Sequence, residues 1–217
     1  MLTLYGVYRS RASRPLWLLA ETGTPFRHVP VIQAYRLAGQ PGSAAVLNTA
    51  SPEFLAINPQ GQIPAMQDDG LLLTESLAIT LHIARRYGGD LGPQTPAEQA
   101  LCEQWALFAA TSVEPPALEI LLAIESNDQP ETRAHMALSA EKLRRPLQRL
   151  EHFLTTHLWL VGGRFTVADL NTAECLRYAQ GYSELLAQYP AVLAWLARCQ
   201  ARPGFQSMWE KRLAEAP

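Results

Sequence analysis

The chain has 217 residues, 48% of them hydrophobic and 18% charged, with a formal net charge of −2 at pH 7. It is long enough to bury a core without disulfide staples, too apolar to stay disordered, and sized for one large domain or two small ones. Its scattered Lys and Arg residues form no basic stripe for nucleic acid, and no uninterrupted apolar run approaches the ~18 residues of a membrane span.

In chain order, Leu2–Tyr5 is a short apolar run that reads as a buried strand, and the start of the chain lacks the charged and long apolar regions of a signal peptide. Ser13, Arg14-Pro15, Leu16, Leu19 and Ala20 predict a helix capped by Ser13, with Pro in the first turn and Gly23 as its stop. Phe26–Ile32, rich in Val and aromatic residues, predicts a second strand. A loosely patterned stretch with Gly39, Pro41 and Gly42 follows, ending in a short helix start at Ser51-Pro52-Glu53. Asn58-Pro59-Gln60-Gly61 is a turn leading into Ile63-Pro64-Ala65-Met66, and Asp68-Asp69-Gly70 connects it to Leu71-Leu72-Leu73 as a hairpin. Thr74-Glu75-Ser76 enters a helix carrying Leu77, Ile79, Leu81, Ile83 and Ala84. The order β-α-β-α-β-β-α predicts a small α/β domain over residues 1–87.

Tyr87–Pro93, rich in Gly, reads as the linker, taken as 88–96. Beyond it the period is helical, and 97–217 is expected to be an all-helical domain with helices over 97–125, 131–157, 167–180, 190–201 and 204–214. Pro115-Pro116 is expected to kink or break the first of these. Thr166-x-x-Asp169 is a capping-box pattern, assigned to folding and not to chemistry. Three widely spaced cysteines (Cys102, Cys175, Cys199) and five histidines without ligand spacing predict no disulfide framework and no metal site, and fit a reducing, cytoplasmic compartment.

Four segments together resemble the cytosolic glutathione transferase family over nearly the whole chain. They are Leu4-Tyr5-Gly6 with Arg9–Arg14, Asn58–Ala65, Leu73–Ile79, and Phe165–Asp169 with Tyr189-Pro190 and Trp195. The resemblance implies a thioredoxin-like α/β domain that binds glutathione as co-substrate, an all-α helical domain, no metal, and a homodimer. It implies a cis Ile63–Pro64 bond, with the Ile63 backbone offered to the cysteinyl part of glutathione. Glu75 would meet the γ-glutamyl ammonium, while Ser76 and its helix N-terminus would meet the carboxylate. Leu37–Leu81 contains no Lys, Arg or His, so the glycyl carboxylate is left to Arg36, a neutral donor such as Gln62, or an Arg of the 9–14 loop. Tyr8, Trp105, Phe108 and Ser112 are the candidates for an electrophile pocket, although Trp and Phe at helical spacing also suit a core.

The reaction of this family is attack of the glutathione thiol on an electrophile. A free thiol of pKa about 8.5 is only slightly ionised at pH 7, so the enzyme must stabilise the thiolate. Tyr5, Tyr8, Ser10 and Ser13 are the hydroxyls on offer. In serine-type classes such as theta and zeta, the serine position that follows an aromatic matching Tyr5 is Ser10, and Arg-Ser-Arg-Ala-Ser is similar to the zeta pattern. Ala12 occupies the zeta cysteine position, and the N-terminal half has no cysteine, which disfavours thiol-disulfide reductase chemistry. The alternatives are a non-catalytic binding or assembly module of the same fold, and a peroxidase or reductase side activity.

Overall fold

The structure, a computed structural model, describes residues 1–39, 46–126 and 130–215. The loop expected around Pro41 and Gly42 lies outside the described residues. The chain divides into two compact units, Met1–Gly89 together with Pro203–Pro217, and Asp90–Arg202.

The first unit contains β1 (Thr3–Tyr5), α1 (Ser13–Thr22), β2 (Arg27–Val29), a 3-10 turn at Ala34–Leu37, α2 (Pro52–Leu55), β3 (Ala65–Asp68), β4 (Leu71–Leu73) and α3 (Ser76–Tyr87). The four strands form one sheet in the order β2-β1-β3-β4. β1 runs parallel to β2, with Leu4 opposite His28, and antiparallel to β3, with Tyr5 opposite Ala65. A parallel neighbour requires a crossover, and α1 supplies it. β2 is shorter than the Phe26–Ile32 run expected from composition. Pro30 has no N–H to donate to a ladder, and Ile32 bridges Asn48 instead. The β3–β4 hairpin turns at Asp69 and Gly70, with φ of 48° and 87°, the left-handed pair that suits a two-residue hairpin turn.

α1 begins with Ser13 inside its first turn, and Ala12 is the N-cap. The expected Ser13 cap is therefore corrected: the Ala12 N–H is taken by the Ser10 hydroxyl oxygen at 3.0 Å. Leu16, Trp17, Leu18 and Leu19 are all buried, because α1 packs against both α3 and a helix from the far end of the chain, Pro203–Ala214. That last helix follows the helical half in sequence but docks on the α/β unit. The rings of Trp17 and Phe205 meet edge-on at 5.0 Å, Trp209 stacks on Phe205, and a Cβ on Gly204 would lie 2.5 Å from Glu21 Cγ. A second core cluster joins Val31, Phe54 and Ala65 with Tyr5 and Ile63 at its margin.

The second unit is all helical: α4 (Pro96–Phe108), a π turn (Ala109–Val113), α5 (Glu114–Glu125), α6 (Pro130–Leu154), α7 (Val167–Leu176), a 3-10 turn (Arg177–Ala179), α8 (Ser183–Leu186) and α9 (Pro190–Gln200). The Pro203–Ala214 helix is α10. Pro115-Pro116 does not break the helix as expected. The π turn just before it widens the hydrogen-bond ring, so the two missing N–H groups fall in a first turn where they cost little. Pro96–Glu125 is thereby one stretch of 30 residues with mean hydropathy 1.5 in its most apolar window, long and apolar enough by length and composition to cross a membrane. The sequence shows no uninterrupted run of that length because Glu114 and Glu119 fall inside the window. Part of its apolar surface has local partners, α4 packing on α7 and α5 on α6 and the Arg177–Ala179 turn, while Leu101, Leu107, Leu122 and Ile124 are exposed. The architecture is the one implied by the resemblance, a thioredoxin-like α/β unit and an all-helical unit.

Thr166 caps α7 in a complete capping box with Asp169. Asp169 is fully buried and does more than cap, also accepting from Leu160 N–H and Trp195 Nε1–H at 2.9 Å each.

Candidate active site

In the α/β unit the β1–α1 loop approaches the Ile63–Pro64 turn, and α1 is tied to the start of α3. Gly6 follows β1 with φ of 144°, and a Cβ there would lie 2.8 Å from Ala12 Cβ, 3.5 Å from Ile63 Cβ and 3.7 Å from Pro64 Cα. Only a residue without a side chain lets the β1–α1 loop sit this close to the Ile63–Pro64 turn. The Ile63–Pro64 bond is cis, as the resemblance implies. Asn58 holds this turn by donating from Nδ2 to the Gln62 carbonyl at 2.7 Å. Among the described residues, the N–H and C=O of Ile63 take no hydrogen bond. An extended peptide could pair with them beside β3. Gln62 is exposed next to them.

The tie is made at the start of α3. Arg14, itself 1% exposed, donates from Nη1 to Ser76 Oγ at 2.8 Å, tying the first turn of α1 to the first residue of α3. With its oxygen accepting from Arg14, the Ser76 hydroxyl keeps its own proton to give. Glu75 is the N-cap with φ 65° and ψ 109°, a conformation that costs a non-glycine residue on the order of 1–3 kcal/mol. Its side chain is exposed. The first N–H groups of α3 lack intrahelical partners, so this end offers positive partial charge beside one carboxylate. That combination suits a zwitterion.

Ser10 is half-buried in the loop between β1 and α1, donating to Val7 C=O at 2.7 Å and accepting from Ala12 N–H. Ser13 is fully buried. Tyr5 donates its hydroxyl to Gln67 Oε1 at 2.8 Å and packs on Phe54. Tyr8 is half-buried with its ring edge-on to His28, and burial, then the negative charge of Glu215, holds its phenol above the ordinary value.

The electrophile-pocket candidates divide. Trp105 and Phe108 are core residues of the helical unit, in ring contact with each other and overlaid by the Arg149 guanidinium at 4.9 and 4.5 Å. Phe108 and Ser112 also line a cavity of about 660 Å³ within that unit, with Pro115 and Pro116, but Trp105 does not. Tyr8 belongs to the α/β unit. The three cysteines are buried and in no disulfide, and burial, then Glu98, pushes the Cys102 thiol up to about 11, which disfavours its thiolate at neutral pH.

Sequence reasoning missed the residues that fasten the Ser10 loop. His28 Nε2 lies 2.8 Å from Gly6 O, Gln33 Nε2 donates to Arg9 O at 3.2 Å, and Glu215 and Arg212 bond the backbone of Tyr8 and Arg9. No local pattern marks them, since the contacts from α10 span more than 200 residues of sequence.

Comparison with known proteins shows the family. Residues 4–93 match the glutathione S-transferase N-terminal domain and residues 113–203 the C-terminal domain. The chain is 31% identical over 209 residues to a probable glutathione S-transferase GSTF1 of Oryza sativa subsp. japonica, covering 92% of this chain and 90% of that one. It is similar to the crystal structure of glutathione transferase F7 from Populus trichocarpa, with TM-score 0.81, 29% identity and coverage of 98% and 99%. It is also similar to the structure of glutathione S-transferase-I bound with lactoylglutathione, with TM-score 0.80, 28% identity and coverage of 97% and 99%. The chain belongs to the glutathione S-transferase family and is an enzyme of it.

Proposed function

We propose that this enzyme binds glutathione at the α/β unit and directs its thiolate, stabilised by the Ser10 hydroxyl, at small electrophiles. The observation that carries this reading is the approach of the β1–α1 loop to the open Ile63 backbone, with α1 tied to the α3 N-terminus. The relative solved with lactoylglutathione supports the choice of ligand. Ile63 pairs with the cysteinyl backbone, Glu75 takes the ammonium, Ser76 and the α3 N–H groups take the γ-glutamyl carboxylate, and Gln62 lies near the peptide.

Ser10 suits the thiolate better than its competitors do. Ser13 is shut away from solvent, and the Tyr5 hydroxyl donates to Gln67 without the backbone N–H that Ser10 accepts. The Ser10 proton rests on a neutral carbonyl, and a thiolate competes for it as a charged and stronger acceptor. The Ala12 N–H on Ser10 Oγ polarises the hydroxyl further. Attack then forms a carbon–sulfur bond and expels the leaving group, chloride for an activated aryl chloride. The working unit we propose is a cytoplasmic homodimer, for which light scattering should return the mass of two chains; a single-chain mass overturns that part.

The test of the donor is an absorbance titration of the thiolate of bound glutathione, with turnover of an aryl chloride in parallel. Ser10→Ala should raise the bound thiol's pKa and lower turnover by roughly 10- to 100-fold, with glutathione affinity little changed. If Ser10→Ala titrates like the parent while Tyr5→Phe shifts upward, the serine reading is wrong.

A further inference from the structure

We propose that Glu215, with Arg212, is a positioning residue for the Ser10 hydroxyl, an inference that rests on Ser10 being the thiolate donor. The loop from Val7 to Ser10 is gripped from the end of α10. The Glu215 carboxylate accepts Tyr8 N–H on one oxygen and Arg9 N–H on the other, both at 2.8 Å. Arg9 Nε donates back to the Glu215 carbonyl at 3.0 Å, and Arg212 Nη1 donates to the Tyr8 carbonyl at 2.6 Å. Two consecutive N–H groups on one carboxylate form a charge-assisted pair with a fixed direction. α10 is itself held against α1 by the Trp17–Phe205 contact, so the grip has a rigid base.

The grip acts on the residue that aims Ser10. Val7 supplies the carbonyl on which the Ser10 proton rests, and Tyr8 and Arg9 are the only residues between them. A shift of this turn redirects the hydroxyl, and misplacement of a reacting group by about 1 Å can cost up to 100-fold in rate. The charge of Glu215 works in the opposite sense. A carboxylate near a thiolate disfavours it, so removing the charge alone would lower the thiol's pKa. Positioning and through-space charge therefore predict opposite signs.

The experiment compares parent, Glu215→Ala, Glu215→Gln, Ser10→Ala and the Ser10→Ala/Glu215→Ala double variant, using thiolate titration of bound glutathione and turnover of an aryl chloride. Glu215→Ala should raise the bound thiol's pKa by about half to one unit and lower kcat by about 3- to 10-fold, with glutathione Kd within about twofold. Glu215→Gln, which keeps one acceptor, should fall between. In the Ser10→Ala background the second substitution should no longer raise the thiol's pKa or lower kcat, since positioning acts through the Ser10 hydroxyl and only the opposite, through-space effect of the charge is left. An unchanged or lowered pKa in Glu215→Ala, or additive effects in the double variant, overturns the inference. So does loss of glutathione binding or of thermal stability in both Glu215 variants, which makes the grip structural only. If Ser10→Ala is itself silent, the donor reading falls first; if Ser10→Ala responds and Glu215→Ala does not, only the positioning role falls.

Discussion

Asp169→Ala tests how the helical unit is held together. Asp169 is fully buried at the start of α7, and its carboxylate accepts Leu160 N–H at 2.9 Å, Trp195 Nε1–H at 2.9 Å, Thr166 N–H at 3.0 Å and the Thr166 hydroxyl at 3.3 Å. The Thr166 hydroxyl can rotate to another acceptor, but the three N–H groups cannot. Stranding a buried donor costs about 1–2 kcal/mol after partial relaxation, so the substitution should cost about 3–6 kcal/mol. That is a large share of the 5–15 kcal/mol of a typical domain, whereas a helix cap alone is worth about 1 kcal/mol. The assay is equilibrium denaturation in guanidinium, followed by fluorescence and by circular dichroism. Asp169→Asn is the second arm: its amide oxygen still serves Leu160 and Trp195, but its NH₂ then faces the Thr166 N–H. It should cost about 2–3 kcal/mol and remain measurable if the Ala variant does not fold. A cost below about 1 kcal/mol for Ala, or equal costs for the two variants, refutes the reasoning.

Glu75→Gly should relieve the left-handed strain at φ 65° and stabilise the fold by about 1 kcal/mol, while weakening glutathione binding by roughly 10- to 100-fold, as denaturation and calorimetry would show. Stability unchanged or lowered would mean that the strain is not there to release. Glu98 is held at a pKa of about 2 by the Arg164 guanidinium, which meets both of its oxygens, and then by the Gln94 N–H. A depressed folded-state pKa means that its stabilisation is present above the unfolded value of about 4.3 and is lost as the pH falls towards 2. Glu98→Gln should therefore flatten the parent's loss of denaturation midpoint between pH 5 and pH 3; parallel curves would remove this pair from the account.

Several parts of this protein are legible from residues alone. Short apolar runs, Val and aromatic residues, and turn residues mark the four strands and the hairpin at Asp69-Gly70, because these signals act over a few neighbouring residues. Glu75-Ser76, Ile63-Pro64 and Ser10 are singled out by the family resemblance and not by local signals, since each alone also suits a cap, a turn or a loop; of what the resemblance implies for them, the structure shows the cis Ile63–Pro64 bond. Local reasoning overextends β2 because it weighs Val and Phe above the missing N–H of Pro30. It expects a kink or break at Pro115-Pro116 because no sequence pattern marks the π turn at Ala109–Val113 that precedes them.

The sequence by itself determined the order of elements, the α/β character of the first part and the residue types available at the site. Tertiary structure alone decided that α10 belongs with α1, since Trp17 and Phe205 are 188 positions apart and only their ring contact joins them. It also decided that Tyr5 donates to Gln67, that Ser13 is buried, and that Arg14 reaches Ser76. The physical reason is common to all of these. A hydroxyl, a carboxylate or a guanidinium carries its chemistry in its own atoms, but whether that chemistry is free to meet a ligand depends on partners that the chain brings in from elsewhere.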